Sequence, residues 1–355
     1  MKKKILYAIA GAGLGNFTRM LAVLGELDQG RFDIAIMAPP SVLKQVPPSF
    51  RTYSLEKVTY GAKSFSALNV LRNNISLPVT LRKNFRRCSR VFDEFGPDAL
   101  IVDSDFHCLP LARKTRTPVI SLNSSFATVK LFRDFRTSWS QMAFSYYCIE
   151  RVDLWLQKRY ADLIICPVIE PVEITCSKLR QINPIVRRQF LETSGERGPS
   201  REAWDIAVTL GGSGLGVRDI DLSSFTGKAV VMGITEGMKL PPEAKVTEFD
   251  PKPAGRMADA RILVVQGGFN SISEVVALRK PSVLVPIPHH AEQFVNARYA
   301  EKLGIASVAW NGRVVEAIKT IEADYDKYLQ SCRSLPVRCD GASQAARLIH
   351  EFLNV

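Results

Sequence analysis

Three glycines at alternate positions, Gly11, Gly13 and Gly15, end the apolar run Ile5 to Ala10 and are followed by Asn16 and, one turn on, Arg19. Glycine tolerates positive φ and lets backbone N–H groups come close to a bulky anion. Arg19 is then placed to meet a phosphate as a bidentate donor, though a surface arginine explains it equally well. The spacing departs from the dinucleotide-binding form, because the third glycine comes too early and Asp33 stands in no clear ribose-binding role. A second loop repeats the layout in "LGGSGLG", with Ser213 and Gly214 at its centre.

Two further stretches carry chemistry. In "VVQGGFNSISEVVALRKPSVLVPIPHHAEQFVNARYAEKLG" (264–304), a diglycine, Gly267–Gly268, separates an apolar strand from a helical pattern. Ser271 or Ser273 is placed to cap that helix, and Glu274 lies one turn in, where a carboxylate can accept two hydrogen bonds from a ribose diol. Taken alone, Glu274 reads as an ordinary helix-surface glutamate. Glu292 and Gln293 open the next helix and can read sugar hydroxyls, whereas Asn296 and Arg298 read as structural. In "VDSDFH" (102–107), Asp103, Asp105 and His107 end another strand, where one aspartate is expected to cap the following helix. Ser124 and Ser125 close the strand after that.

The elements that must position these residues alternate between apolar β-branched runs and helical periodicity. "KILYAIAG", "FDIAIMAP", "ALIVDSD", "PVISLNSS" and "DLIICPV" read as strands of parallel βαβ units. "LETSGERGPSRE" (191–202) reads as a linker, after which the pattern restarts with "DIAVTLGG", "KAVVMGI", "AKVTEFD", "ARILVVQGG", "PSVLVPIP" and "IASVAW". Two α/β units place a cleft between two sheets, and ligands on such sheets bind beyond the carboxyl ends of the strands. "GASQAARLIHEFLNV" closes the chain as an amphipathic helix.

The net charge of +12 is uneven: residues 1–195 carry 28 Lys/Arg against 16 Asp/Glu, and the remainder carries 19 of each. An anionic partner is therefore expected for the first half alone. Within it, 71–92 and 129–160 interleave cations with apolar and aromatic residues, a pattern that suits anionic lipid headgroups and also suits helices covering a sheet. Single-stranded nucleic acid would accept the same interleaving, but the α/β layout lacks the small barrel or RNA-binding sheet that usually presents it. No apolar run approaches the roughly 18 to 20 residues that span a bilayer. The lysine-led start resembles a signal peptide in outline, but a strand ending in a glycine turn explains it as well. Seven scattered cysteines without a CxxC pair point to a reducing compartment and away from a zinc site or a disulfide framework.

Residues 264–304 resemble the nucleotide-sugar motif of the GT-B glycosyltransferases, specifically family 28 and its MurG-like enzymes. The likeness rests on Gly267–Gly268, "SEVVALRKP", the apolar strand to Pro286 and "EQFVNA", and the two earlier glycine loops fall where that family keeps its own. The resemblance implies an α/β GT-B fold of two Rossmann-like domains, 1–195 for the acceptor and 196–340 for the donor, with 341–355 as a helix packing back on the first. By that match, Ser213 and Gly214 face the diphosphate of a UDP-sugar, and Gly267 and Gly268 let a helix start approach it. Glu274 holds the ribose, Gly233, Ile234 and Phe249 lie near the uracil, and Glu292 and Gln293 contact the sugar. Asn270, Ser271 and His290 complete the donor side, while Gly13, Gly15, Arg19 and Ser124 serve the acceptor or a phosphate.

One departure bears on catalysis. The family's first loop usually ends glycine–histidine, and that histidine is often the base; here the matching residue is Asn16, whose neutral amide only orients. The resemblance then favours Asp105 as base; an acidic acceptor needing no strong base and a protein reduced to binding are the other two explanations. The expectation is an inverting transferase that uses no metal and no cofactor, takes the nucleotide sugar as substrate, and works on a lipid-linked, glycan or small-molecule acceptor at the cytoplasmic membrane face without nucleic acid. A nucleotide-sugar hydrolase and a non-catalytic nucleotide-sugar-binding subunit are the alternatives.

Overall fold

The chain builds two parallel sheets with the same strand order. In the first, β1 (Lys3–Ile9), β2 (Phe32–Ala38), β3 (Arg51–Ser54), β4 (Ala99–Asp103), β5 (Val119–Leu122), β6 (Leu163–Pro167) and β7 (Leu179–Ile182) run 3-2-1-4-5-6-7. In the second, β8 (Trp204–Thr209), β9 (Ala229–Met232), β10 (Lys245–Thr247), β11 (Ala260–Gln266), β12 (Ser282–Val285) and β13 (Ala306–Val308) run 10-9-8-11-12-13. These relations come from a computed structural model that describes residues 2–354 apart from 12–14, 57–76, 136–138, 197–202, 211–219, 234, 248–249 and 251. Every strand pair is parallel. Strands covered on both faces need continuous apolar sequence, and β4, β5, β6, β9 and β12 are buried at every position. Each sheet reverses its order beside its first strand, at β1/β4 and β8/β11, which is where an open α/β sheet offers a crevice.

Helices cover both faces. In the first unit, α1 (Gly15–Glu26) follows β1, α2 (Leu77–Phe95) precedes β4, α3 (Ser125–Asp134) follows β5, and α4 (Arg151–Tyr160) precedes β6. The second unit has α5 (Arg188–Glu196) before β8, α6 (Phe269–Leu278) after β11 and α7 (Ala291–Lys302) after β12, and the chain closes with α8 (Gly341–Leu353). α1 buries the stripe Phe17, Met20, Val23 and Leu24, which shares one core with Ala342, Ala345, Ala346, Ile349 and Leu353 of α8. Fully burying an apolar side chain of this size contributes about 1.5–3 kcal/mol. The closing helix therefore belongs to the core of the first sheet. Gly341 permits this return, since a Cβ there would fall 2.0 Å from the Asn183 carbonyl oxygen.

The chain touches the second unit ahead of the 195/196 boundary expected above. Val186 and Phe190 pack in the second core with Met257, Ile272 and Val276, so α5 is part of the second unit. The glycine and polar residues near 195 read as linker, but the apolar face of α5 decides its side. All seven cysteines are free thiols.

Candidate active site

The two units meet at the carboxyl edges of their sheets around a cavity of about 430 Å³. The start of α1 faces the start of α6: a Cβ on Gly15 would lie 2.9 Å from Asn270 Nδ2. Two helix N-termini thus converge on one cavity, each adding partial positive charge. Gly268 is the N-cap residue of α6, Ser273 Oγ donates back to the Phe269 carbonyl, 2.8 Å away, and the Phe269 amide at the helix start is met by the Glu292 carboxylate. Neither Ser271 nor Ser273 caps the helix as expected. Gly267 lets α7 approach, with the Gln293 carbonyl 3.2 Å from where a Cβ would stand, while the Cβ direction of Gly268 is open.

Of the residues singled out on the donor side, Gly268, Asn270, Ser271, Glu274, His290, Glu292 and Gln293 line the cavity. Gly267 buttresses it, and Gly233, at φ 102°, follows the lining residue Met232. Ser213, Gly214, Ile234 and Phe249 lie outside the described residues, as does Gly13. Glu274 is paired with Arg187, whose Nε and Nη2 each approach Oε1 at 2.8 Å. Burial raises the Glu274 pKa, while the guanidinium pulls it back down. Gln293 has a structural task besides any ligand: its Oε1 accepts from the Ile287 amide at 2.9 Å and holds the loop ahead of α7.

On the first unit, Gly15, Asn16, Arg19 and Ser124 line the cavity. Arg19 is committed inward. It donates through Nε to Asp103 Oδ2 at 2.8 Å and through Nη2 to Asp103 Oδ1, and it reaches Asn16 Oδ1 at 3.2 Å. Burial works against the guanidinium charge, but the Asp103 carboxylate outweighs it and keeps Arg19 protonated. The edge expected to clamp a phosphate is thus taken up by Asp103.

Asp105 is not among the cavity-lining residues, although its neighbours Ser104 and Phe106 are. Its carboxylate turns back to His107, accepting from the backbone amide at 3.2 Å and lying 2.8 Å from Nδ1. Burial lowers the His107 pKa, but Asp105 raises it more. The expected base therefore closes a local turn just after Ser104, which stands at φ 56°.

Two acids that the sequence reading passed over face the cavity instead. Glu150 and Asp153 stand among the aromatic and basic residues of 129–160 and line the cavity with Cys148, Ile149, Val152 and Leu156. Glu150 ends a π-helical turn, Tyr146–Glu150, that runs directly into α4. Such turns shift the register of a helix and recur at functional sites. The signal in the sequence was an i, i+3 pair of acids, with Gln157 four residues further on, inside an otherwise cationic stretch. Asp153 accepts from Ser125 Oγ at 2.7 Å, Gln157 Nε2 at 2.9 Å and Asn123 Nδ2 at 3.2 Å.

Across the cavity, Glu292 meets the Asn296 and Ser124 side chains and the Phe269 amide, which favour its charged form, while burial raises its pKa overall. Glu150, His290 and Glu292 each bring one donor atom within 4.8 Å of the others. That spacing would surround a cation; with none bound, burial raises the pKa of both carboxyls. Burial also lowers His290 to about 4, so its imidazole is neutral.

Two Rossmann-like domains with an anion-receptive helix start on one side of the cleft and ordered carboxylates on the other define a GT-B glycosyltransferase. The chain belongs to that class by sequence: residues 3–194 match the model of glycosyl transferase family 1, and residues 225–331 match the glycosyltransferase family 28 C-terminal domain. An uncharacterized glycosyltransferase of Methanopyrus kandleri is 24% identical over 95% of this chain and 98% of its own. The UDP-N-acetylglucosamine–N-acetylmuramyl-(pentapeptide) pyrophosphoryl-undecaprenol N-acetylglucosamine transferase of Clostridium perfringens is 22% identical over 94% of each chain. In structure, MurG of Acinetobacter baumannii superposes with a TM-score of 0.61 at 14% identity, covering 98% of this chain and 99% of its own. UGT2 of Phytolacca americana, complexed with UDP-2-fluoro-glucose and pterostilbene, gives 0.65 at 13% identity, covering 100% and 99%.

Proposed function

We propose that this glycosyltransferase moves a hexose or N-acetylhexosamine from a UDP-sugar to a lipid-linked acceptor. The observation that carries the donor half is the start of α6 opening on the cavity with Glu274 one turn behind it. The diphosphate would lie against the helix N–H groups and the ribose against Glu274 Oε2. Glu292 and Gln293 then stand where a donor sugar follows. A relative and a structural neighbour whose names carry UDP-sugars support this choice of donor.

The acceptor half rests on one continuous helical segment. Its inner side lines the cavity, and its outer side exposes Tyr147 (46%) and Trp155 (59%). Arg151, Lys158 and Arg159 flank them. An apolar chain can lie along that outer side while its headgroup enters the cleft, and the cations suit an anionic membrane face. No described helix is long and apolar enough to cross a membrane. The protein would thus work as a peripheral enzyme at the inner membrane face. Transfer would be inverting and need no metal, because helix N-termini can stabilise the leaving diphosphate.

The test is a panel of UDP-sugars with and without polyprenyl-diphosphate-linked saccharides. UDP release that requires the lipid acceptor is the expected result. UDP and free sugar without an acceptor would mean hydrolysis, and tight UDP binding without turnover would mean a binding subunit.

A further inference from the structure

We propose that Asp153 is the general base that takes the proton of the acceptor hydroxyl. The proposal rests on the reading of the chain as a sugar transferase with the donor on the second unit.

Geometry removes the other carboxylates. A base for the acceptor must line the cavity, stand on the acceptor side and be free of a cationic partner. Among the described residues, Asp103 is held by Arg19, Asp105 by His107, Glu274 by Arg187 and Asp250 by Arg256. Glu292 sits on the donor helix. Glu150 and Asp153 remain, one turn apart on the same segment.

Their surroundings differ. Three neutral donors from two elements, Ser125, Asn123 and Gln157, hold the Asp153 carboxylate ionised and oriented. Asn123 Oδ1 in turn accepts from Gln157 Nε2 at 2.8 Å and from the Ser125 amide at 3.1 Å, so the donors are themselves fixed. Glu150 has Ser125 as its one favourable partner against burial and the charges of Glu292 and Asp153, which push its pKa well up. Burial raises Asp153 as well, but its three donors limit the rise to about 6. Two acids in one site whose environments separate their pKa values take separate roles, and the ionised one is the base. The charged groups around Asp153 are Glu150 on its own segment, Asp103 at the end of β4, and Arg19 and Glu292 beyond them.

The segment is also registered to the donor unit. Ser145 Oγ accepts from the Ala291 amide at 3.1 Å, at the start of the helix that carries Glu292. Tyr146 stacks on Phe132 at 4.2 Å, and Phe132 meets Phe294 edge-on at 6.0 Å. Asp153 is therefore held at a set distance from the donor helix. In the reaction, the acceptor oxygen forms its bond to the anomeric carbon as the bond from that carbon to the diphosphate oxygen breaks. The electron pair leaves with the diphosphate, and the hydroxyl proton passes to Asp153.

The experiment compares wild type, Asp153→Asn and Asp153→Glu with a donor and lipid acceptor that wild type turns over. Asp153→Asn is expected to lose a hundredfold or more in kcat, with UDP affinity and donor KM within threefold of wild type; Asp153→Glu should recover part of the rate. In wild type, kcat should fall as pH drops through about 6. A kcat for Asp153→Asn within threefold of wild type would overturn the assignment while leaving the transferase intact, as would a loss confined to Asp105→Asn. If Asp153→Asn fails to fold, shown by absent UDP binding, the wild-type profile decides: a rate flat from pH 5 to 8 overturns the proposal. Absence of transfer by wild type with every donor and acceptor would overturn the functional reading, and this assignment with it.

Discussion

Arg19 and Asp103 form a buried two-point pair between the first turns of α1 and the end of β4, with side chains 5% and 0% exposed. The pair sits directly below Asn16, where related enzymes are expected to carry a histidine. Arg19 thus holds the strand-end carboxylate, and the loop residue is left as a neutral amide. Asn16, Arg19 and Asp103 together tie the start of α1 to the end of β4.

Breaking that clamp strands a buried charge. Asp103→Ala should lower unfolding stability by about 3–5 kcal/mol, the cost of leaving one buried ion unpaired. Urea unfolding followed by circular dichroism measures this; a change under 1 kcal/mol would show that Arg19 finds another partner.

Glu274 should matter to the ribose and not to the uracil. Glu274→Gln is expected to weaken UDP about ten- to hundredfold, as for loss of a charged hydrogen bond. Binding of 2′,3′-dideoxy-UDP should be the same in both proteins. Calorimetry with the two nucleotides separates this from general damage, in which both would weaken together.

Glu150 gives a pH signature with a definite sign. Burial, with Glu292 and Asp153 adding to it, raises its folded pKa above the unfolded value, so the folded state binds the extra proton. The resulting stability is present at pH below the unfolded value and is lost as pH rises through the folded value. Glu150→Gln removes the buried charge and also relieves Glu292. The variant should melt at a higher temperature than wild type at pH 8 and show a flatter profile between pH 5 and 8. Parallel profiles for the two proteins would show that Glu150 is not the group that titrates.

The exposed outer side of the cavity-lining segment should bind membranes. Tyr147→Ser with Trp155→Ser should reduce co-sedimentation with phosphatidylglycerol vesicles severalfold and leave UDP affinity unchanged. Equal sedimentation of wild type and the double variant would place the lipid contact on another surface.

Gly341 should tolerate no side chain. Gly341→Ala puts a Cβ 2.0 Å from the Asn183 carbonyl oxygen, so α8 must shift off the core it shares with α1. A loss of about 1–3 kcal/mol is expected in the same urea assay.

Much of the fold was legible because parallel strands buried on both faces must be apolar throughout, and the glycine clusters mark where those strands end. The residues that the second unit brings to the cavity were legible for the same reason: Gly268, Glu274, Glu292 and Gln293 follow one another at short spacing on a single strand–helix–strand–helix unit.

The sequence by itself determined the two-sheet architecture and the absence of a histidine after the first glycine loop, since each is carried by contiguous residues. Only the tertiary structure decided what Arg19, Asp105 and Asp153 do. Arg19 and Asp103 are 84 residues apart and meet because β1 and β4 are neighbours in the sheet. Asp105 has the residue type and strand-end position of a base, yet its carboxylate is turned to His107. Asp153 lies in a stretch whose composition suggests lipid, and it becomes a cleft carboxylate because Asn123 and Ser125, at the end of β5, are brought against α4. Side-chain direction and long-range pairing are properties of the packed chain, and no local pattern encodes them.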